Sequence, residues 1–96
     1  MSAYISLVNW TDQGVKNAKD SLARAKAIEG ALSKIGGRKI GVWWALGEYD
    51  LVYIFEAPDD ETASRFLVTV GMQGNVRTKT MRIFSEDEAA SIFAGV

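Results

Sequence analysis

Lys39-Ile40-Gly41-Val42-Trp43-Trp44-Ala45 and Leu51-Val52-Tyr53-Ile54-Phe55 are two apolar, β-branched and aromatic runs, separated by the turn segment Leu46-Gly47-Glu48-Tyr49-Asp50. Runs of this composition, bounded by Gly and Asp, read as the two strands of a tight antiparallel hairpin. The reading places that hairpin at the centre of the fold, with Tyr49 and Asp50 on a sheet rim where a ligand could be met. Val42 and Trp44 alternate with Trp43, and Val52 and Ile54 alternate with Tyr53 and Phe55, so both sides of both strands are greasy. A sheet with one solvated face would alternate apolar with polar residues. The second face is therefore expected to be buried as well. The simplest cover is the same sheet of a second chain, because two-fold homodimers are the commonest oligomers.

Upstream, residues 3–9 read as a first strand, and Thr11-Asp12-Gln13-Gly14 supplies cap chemistry for a helix. Val15, Ala18, Leu22, Ala25, Ile28, Leu32 and Ile35 then recur at steps of three and four. That spacing predicts one long helix with this stripe inward, closed by Gly36-Gly37. The hairpin strands are expected at about 38–46 and 50–56. Downstream, Asp59 or Asp60 opens a second helix whose inner face is Ala63, Phe66, Leu67 and Val70. A last strand is expected over residues 76–84, followed by a short helix capped from Ser85-Glu86-Asp87-Glu88 and carrying Ala89, Ile92 and Phe93. The order β-α-β-β-α-β predicts a single α+β domain over residues 1–96. Its expected form is a ferredoxin-like antiparallel sheet with both long helices on one face.

A chain of 96 residues is one domain with a small core, yet 48% of it is hydrophobic. The 11 basic and 12 acidic residues leave a net charge of −1, too little field to attract nucleic acid or an anionic membrane. There is no cysteine, which excludes disulfides and thiolate chemistry, and no histidine, which removes the commonest metal ligand and general base. No cofactor and no metal are expected. The acids at 59–61 and 86–88 are explained as helix caps. No apolar run reaches the roughly 18 residues of a membrane span. The first residues lack the charge and hydropathy pattern of a secretory leader, so the expected location is cytoplasmic.

The opening Tyr4-Ile5-Ser6-Leu7-Val8-Asn9-Trp10-Thr11-Asp12-Gln13-Gly14 and the turn Gly47-Glu48-Tyr49-Asp50 resemble the GYD-domain family, over essentially the whole chain. That family is named for a Gly-Tyr-Asp turn; here Glu48 stands between the Gly and the Tyr. The resemblance implies a dimeric α+β barrel. It brings no settled activity with it.

Five residues are candidates for binding a ligand. Asp50 could act as a base or orient Tyr49; the plainer reading has Asp50 shaping its turn and Tyr49 packing on Trp43 or Trp44. Arg82 shares a strand side with Thr78 and Thr80 and could hold a carboxylate or phosphate; alternatively it pairs with Asp50, Glu56 or a helix acid. Asn9 and Trp10 end the first strand and could line a pocket between helices and sheet, or simply finish the turn and cover the core edge. No catalytic residue is assigned. Two functions follow: a homo-oligomeric module that binds a small ligand or serves assembly, or a cofactor-free enzyme. The second would be monooxygenase- or isomerase-like, acting on a small aromatic or polyketide-like substrate through Tyr49, Asp50, Asn9, Trp10 and Arg82.

Overall fold

In the computed structural model, which describes residues 1–96, the first strand sorts its side chains cleanly. Along β1 (Ser2–Trp10), Tyr4, Ser6 and Val8 are buried and their neighbours are half-buried. On β3 (Leu51–Ala57) the buried set is Leu51, Tyr53, Phe55 and Ala57. The antiparallel register pairs Tyr4 with Phe55, Ser6 with Tyr53 and Val8 with Leu51, so these residues share one face. The other strands are β2 (Arg38–Trp44) and β4 (Val76–Ile83), and the spatial order is β2-β3-β1-β4, antiparallel throughout.

The hairpin is not the centre of this sheet. β1 and β3 are the inner strands, and β2 lies at an edge. Two features of β2 suit an edge. A register shift between Lys39 and Gly41 leaves Ile40 outside the ladder, and a bulge of this kind interrupts pairing. Nor is the connection tight: residues 45–50 form a loop in which Gly47 takes φ +136, a conformation open to glycine.

The helices pack on the Tyr4–Phe55 face. Phe55 is fully buried at the centre of that core, stacked on Tyr4 at 5.2 Å and meeting Phe66 edge-on at 5.2 Å. Burying such a ring contributes about 2–3 kcal/mol. Helix α3 (Asp60–Met72) is built as expected. Asp59 caps it by accepting from Thr62 N–H at 2.8 Å, and Ala63, Phe66 and Val70 go inward.

The long first helix is interrupted. It comprises α1 (Asp12–Lys16), a 3₁₀ turn (Ala18–Asp20) and α2 (Ser21–Lys34). At Asn17 the backbone leaves the helical region (φ −109, ψ 28) and its N–H bonds back to Gly14 O. After the break, Ser21 takes the inward place expected for Leu22. Ser21 and Leu32 are buried on α2, with Ala25 and Ile28 half-buried between them. Val15 and Leu22, expected inside, are 52% and 66% exposed. Ser21 tolerates burial because its Oγ accepts from Trp44 Nε1 at 3.0 Å.

The start of α1 is clamped to the turn between α3 and β4. Thr11 caps α1 through Gly14 N–H, donates to Gly74 O at 2.5 Å, and its own N–H bonds Asn75 O at 3.1 Å. Gly14 is required there, since a Cβ would fall 1.9 Å from Asn75 O. The last helix, α4 (Glu86–Ala94), has a complete capping box between Ser85 and Glu88 but buries no residue. Ile92 and Phe93 stand 47% and 70% exposed.

Candidate functional site

The structure brings three of the five candidate residues together. Past the Val8–Leu51 pair, β1 has run out of β3 to bond with. Asp50 takes over: its Oδ2 accepts from Trp10 N–H at 2.9 Å and from Asn9 Nδ2 at 3.5 Å, and its own N–H donates to Val8 O at 2.9 Å. Asn9 also donates to Glu48 O at 2.9 Å. Tyr49 does not pack on Trp43 or Trp44; its ring lies 5.8 Å from the Lys79 ammonium on β4. Arg82 is at the far end of that strand, opposite Tyr4, whereas Asn9 is opposite Arg77. Its guanidinium bonds the Ile83 carbonyl, pairs with Glu88 of α4 at 3.2 Å and lies 4.4 Å over the Phe84 ring. The helix-acid pairing anticipated for Arg82 is the one realised. No common cavity is lined by the five, so the constellation offered for cofactor-free catalysis is not assembled.

A cavity does open between helices and sheet, and Trp10 alone of the five lines it. It encloses about 70 Å³ among 15 residues, 11 of them hydrophobic, from β1, α2, β2, β3, α3 and β4. Besides Arg24 and Thr78, which are half-buried, three buried residues with polar groups stand on its wall. Ser6 Oγ is engaged with Thr80 Oγ1 at 2.6 Å, and Ser21 Oγ with Trp44. Tyr53 Oη is buried and has no hydrogen-bond partner in the protein. Burial, and then the nearby Glu29 charge, push the Tyr53 hydroxyl up to about 12, so it stays protonated and able to donate. Tyr53 was not among the sequence candidates. A signal existed: an inward tyrosine on a buried strand face needs a partner for its hydroxyl.

The opposite sheet face carries no helix. By register it presents Ile5 and Leu7 of β1, Val52 and Ile54 of β3, Trp43 of β2, and Met81 and Ile83 of β4. Trp43 and Met81 are 52% and 54% exposed. Charges sit at its margins: Arg38 and Glu56 pair at 2.6 Å at one end, and Arg77 and Lys79 line the β4 side. An apolar centre with a polar rim is the anatomy of an interface. No helix of the chain is long and apolar enough to cross a membrane.

Comparison with known proteins gives a consistent picture. The chain is 30% identical over 82 residues to the "Glutamine synthetase and cystathionine beta-lyase binding protein" of Thermus thermophilus, covering 84% of this chain and 86% of that one. The crystal structure of TTHA0845 from Thermus thermophilus superposes with a TM-score of 0.55 at 21% identity, covering 88% of this chain and 95% of that one, which supports an α+β fold. The model of the GYD domain matches residues 4–93. The chain belongs to the GYD domain family.

Proposed function

We propose that this protein is a non-catalytic binding and assembly module, working as a ferredoxin-like homodimer whose two copies meet through the helix-free sheet face. The observation that carries the reading is surface in excess. A compact monomer of this size exposes about 5,400 Å², and this chain exposes 6413 Å². The surplus, roughly 1,000 Å², is close to the ~800 Å² that each partner contributes to a stable interface. The apolar face described above is where such a cover fits. Central strands β1 and β3 and both main helices on the other face support the ferredoxin-like reading.

The related Thermus protein is named for binding two enzymes. We extend that kind of use to this chain: the dimer holds a partner protein, on surfaces outside the sheet–sheet contact, rather than turning over a substrate. A cytoplasmic setting belongs to the same proposal. Light scattering coupled to size exclusion tests the assembly. The wild type is expected at twice the chain mass, and Ile54→Lys at the monomer mass, because a lysine at the centre of an apolar interface buries an unpaired charge. A wild type that stays monomeric at about 100 μM would refute the dimer.

A further inference from the structure

We infer that the open edge of β4 takes an acidic, extended segment of a partner protein as an added strand, a reading that rests on the partner-binding role proposed above. β4 lies at the edge of the sheet and pairs only with β1, in an unbroken register from Ala3–Ile83 to Trp10–Val76. It holds no Gly, Pro or bulge, whereas the other edge, β2, is interrupted between Lys39 and Gly41. Thr11 N–H continues the β1–β4 ladder by bonding Asn75 O at 3.1 Å, which fixes the phase of its hydrogen bonds. Bonded pairs alternate along an antiparallel ladder, so Arg77, Lys79, Met81 and Ile83 spend their backbone groups on β1. The N–H and C=O groups of Val76, Thr78, Thr80 and Arg82 therefore point away from the sheet. None of them finds a backbone partner in a turn, loop or cap, and no residue of β4 is buried. Such a row is a template for one more strand.

Charge selects the occupant. β4 reads Val-Arg-Thr-Lys-Thr-Met-Arg-Ile and holds no acid. Arg77 and Lys79 are exposed on one side of the strand, two residues apart, and neither forms an ion pair. Arg82, on the other side, is already paired with Glu88. Residues directly opposite across a strand pair attract when their charges differ and repel when they match. A second copy of β4 would offer Arg77 and Lys79 no acid, because the strand has none. A foreign strand with acids at two alternate positions meets both bases. Met81 and Ile83 continue the same side and ask for apolar residues there. The bases that discourage a second copy thereby choose an acidic strand.

The probe is the capped peptide Val-Thr-Val-Thr-Glu-Thr-Glu, designed to lie antiparallel to residues 77–83 and titrated into the full-length protein by amide NMR. The amides of Thr78, Thr80 and Arg82 should shift saturably and gain protection from exchange. N-methylation of the peptide's Thr residues removes the ladder donors and should abolish binding. Replacing both peptide Glu residues with Lys should weaken binding about tenfold. The double variant Arg77→Glu, Lys79→Glu should restore binding of that Lys peptide. The β4 edge lies outside the proposed sheet–sheet contact, so an Ile54→Lys monomer should bind the acidic peptide as the wild type does. Failure of assembly would thereby leave this inference standing, and a dimer that ignores the peptide would sink the inference alone. Absence of saturable shifts at millimolar peptide, or equal binding of the acidic and basic peptides, would overturn the proposal. So would protection of the same amides by a second copy in the peptide-free protein.

Discussion

Asp50 shows how one carboxylate extends a sheet beyond its ladder. Trp10 N–H lies past the last β1–β3 pair, and a strand amide there needs an acceptor. Asp50 Oδ2 provides it at 2.9 Å while the Asp50 backbone holds Val8 O and accepts from Ala45 N–H at 2.8 Å. Replacing the side chain removes the carboxylate contacts and keeps the backbone ones. Asp50→Ala is therefore expected to cost about 1.5–2 kcal/mol, read as a lower urea midpoint at unchanged slope; a change within 0.5 kcal/mol would contradict this role. The sequence made an amide-binding Asp50 legible, since Asp does this in turns. It could not say that the amide belongs to another strand, because that depends on where β1 outruns β3. Tyr53 was hidden for a related reason. Its inward position follows from alternation, but an unpaired hydroxyl can be recognised only once every neighbour is placed.

Among the elements, those with strong local chemistry were readable: the Asp59 cap and the 63-66-70 stripe of α3, and the Ser85 box of α4. The break at Asn17 was not. Its cause is a set of bonds reaching out of the helix, from the Thr11–Asn75 clamp to Arg24 donating to Asn17 O at 2.7 Å. A three-four stripe counted straight through it thus picked Leu22 instead of Ser21. Helix α4 depends on its cap more than the others, because it buries nothing. Ser85 N–H, and then the Arg82 guanidinium, hold the Glu88 carboxyl below its ordinary value of 4.5. Stabilisation from a lowered carboxyl pKa is present above the unfolded value and is lost as pH falls through the folded one. Amide exchange in residues 88–93 should accelerate as pH drops below 4.5, after correction for intrinsic rates. Ser85→Ala should remove about 1 kcal/mol of that protection at neutral pH. Unchanged protection would mean that packing, not the cap, holds α4.

At the scale of the molecule, the chain is spread thin. Its radius of gyration is 14.3 Å and its extents are 48 × 31 × 18 Å, where a compact domain of this length would have a radius of about 12.5 Å. Only 13 of 96 residues are buried, although nearly half the composition is hydrophobic. If a second copy covers the open face, folding and association are linked, and the melting temperature should climb with protein concentration. Scanning calorimetry over a hundredfold dilution tests this; a flat melting temperature would speak against linked assembly. Two-sided greasiness was visible in the hairpin sequence because it is a property of alternate residues. A pocket between helices and sheet with Trp10 on its wall was among the expectations, but the rest of its lining was not legible, because it is a gap among six elements far apart in the chain. The three indoles fall into the three regions that matter: Trp10 on the cavity wall, Trp43 on the open face, and Trp44 bonded to Ser21 beneath α2. Nature has thereby labelled the protein with separate optical reporters. With two indoles replaced by Phe, the fluorescence of the third would follow the cavity, subunit contact or helix docking on its own.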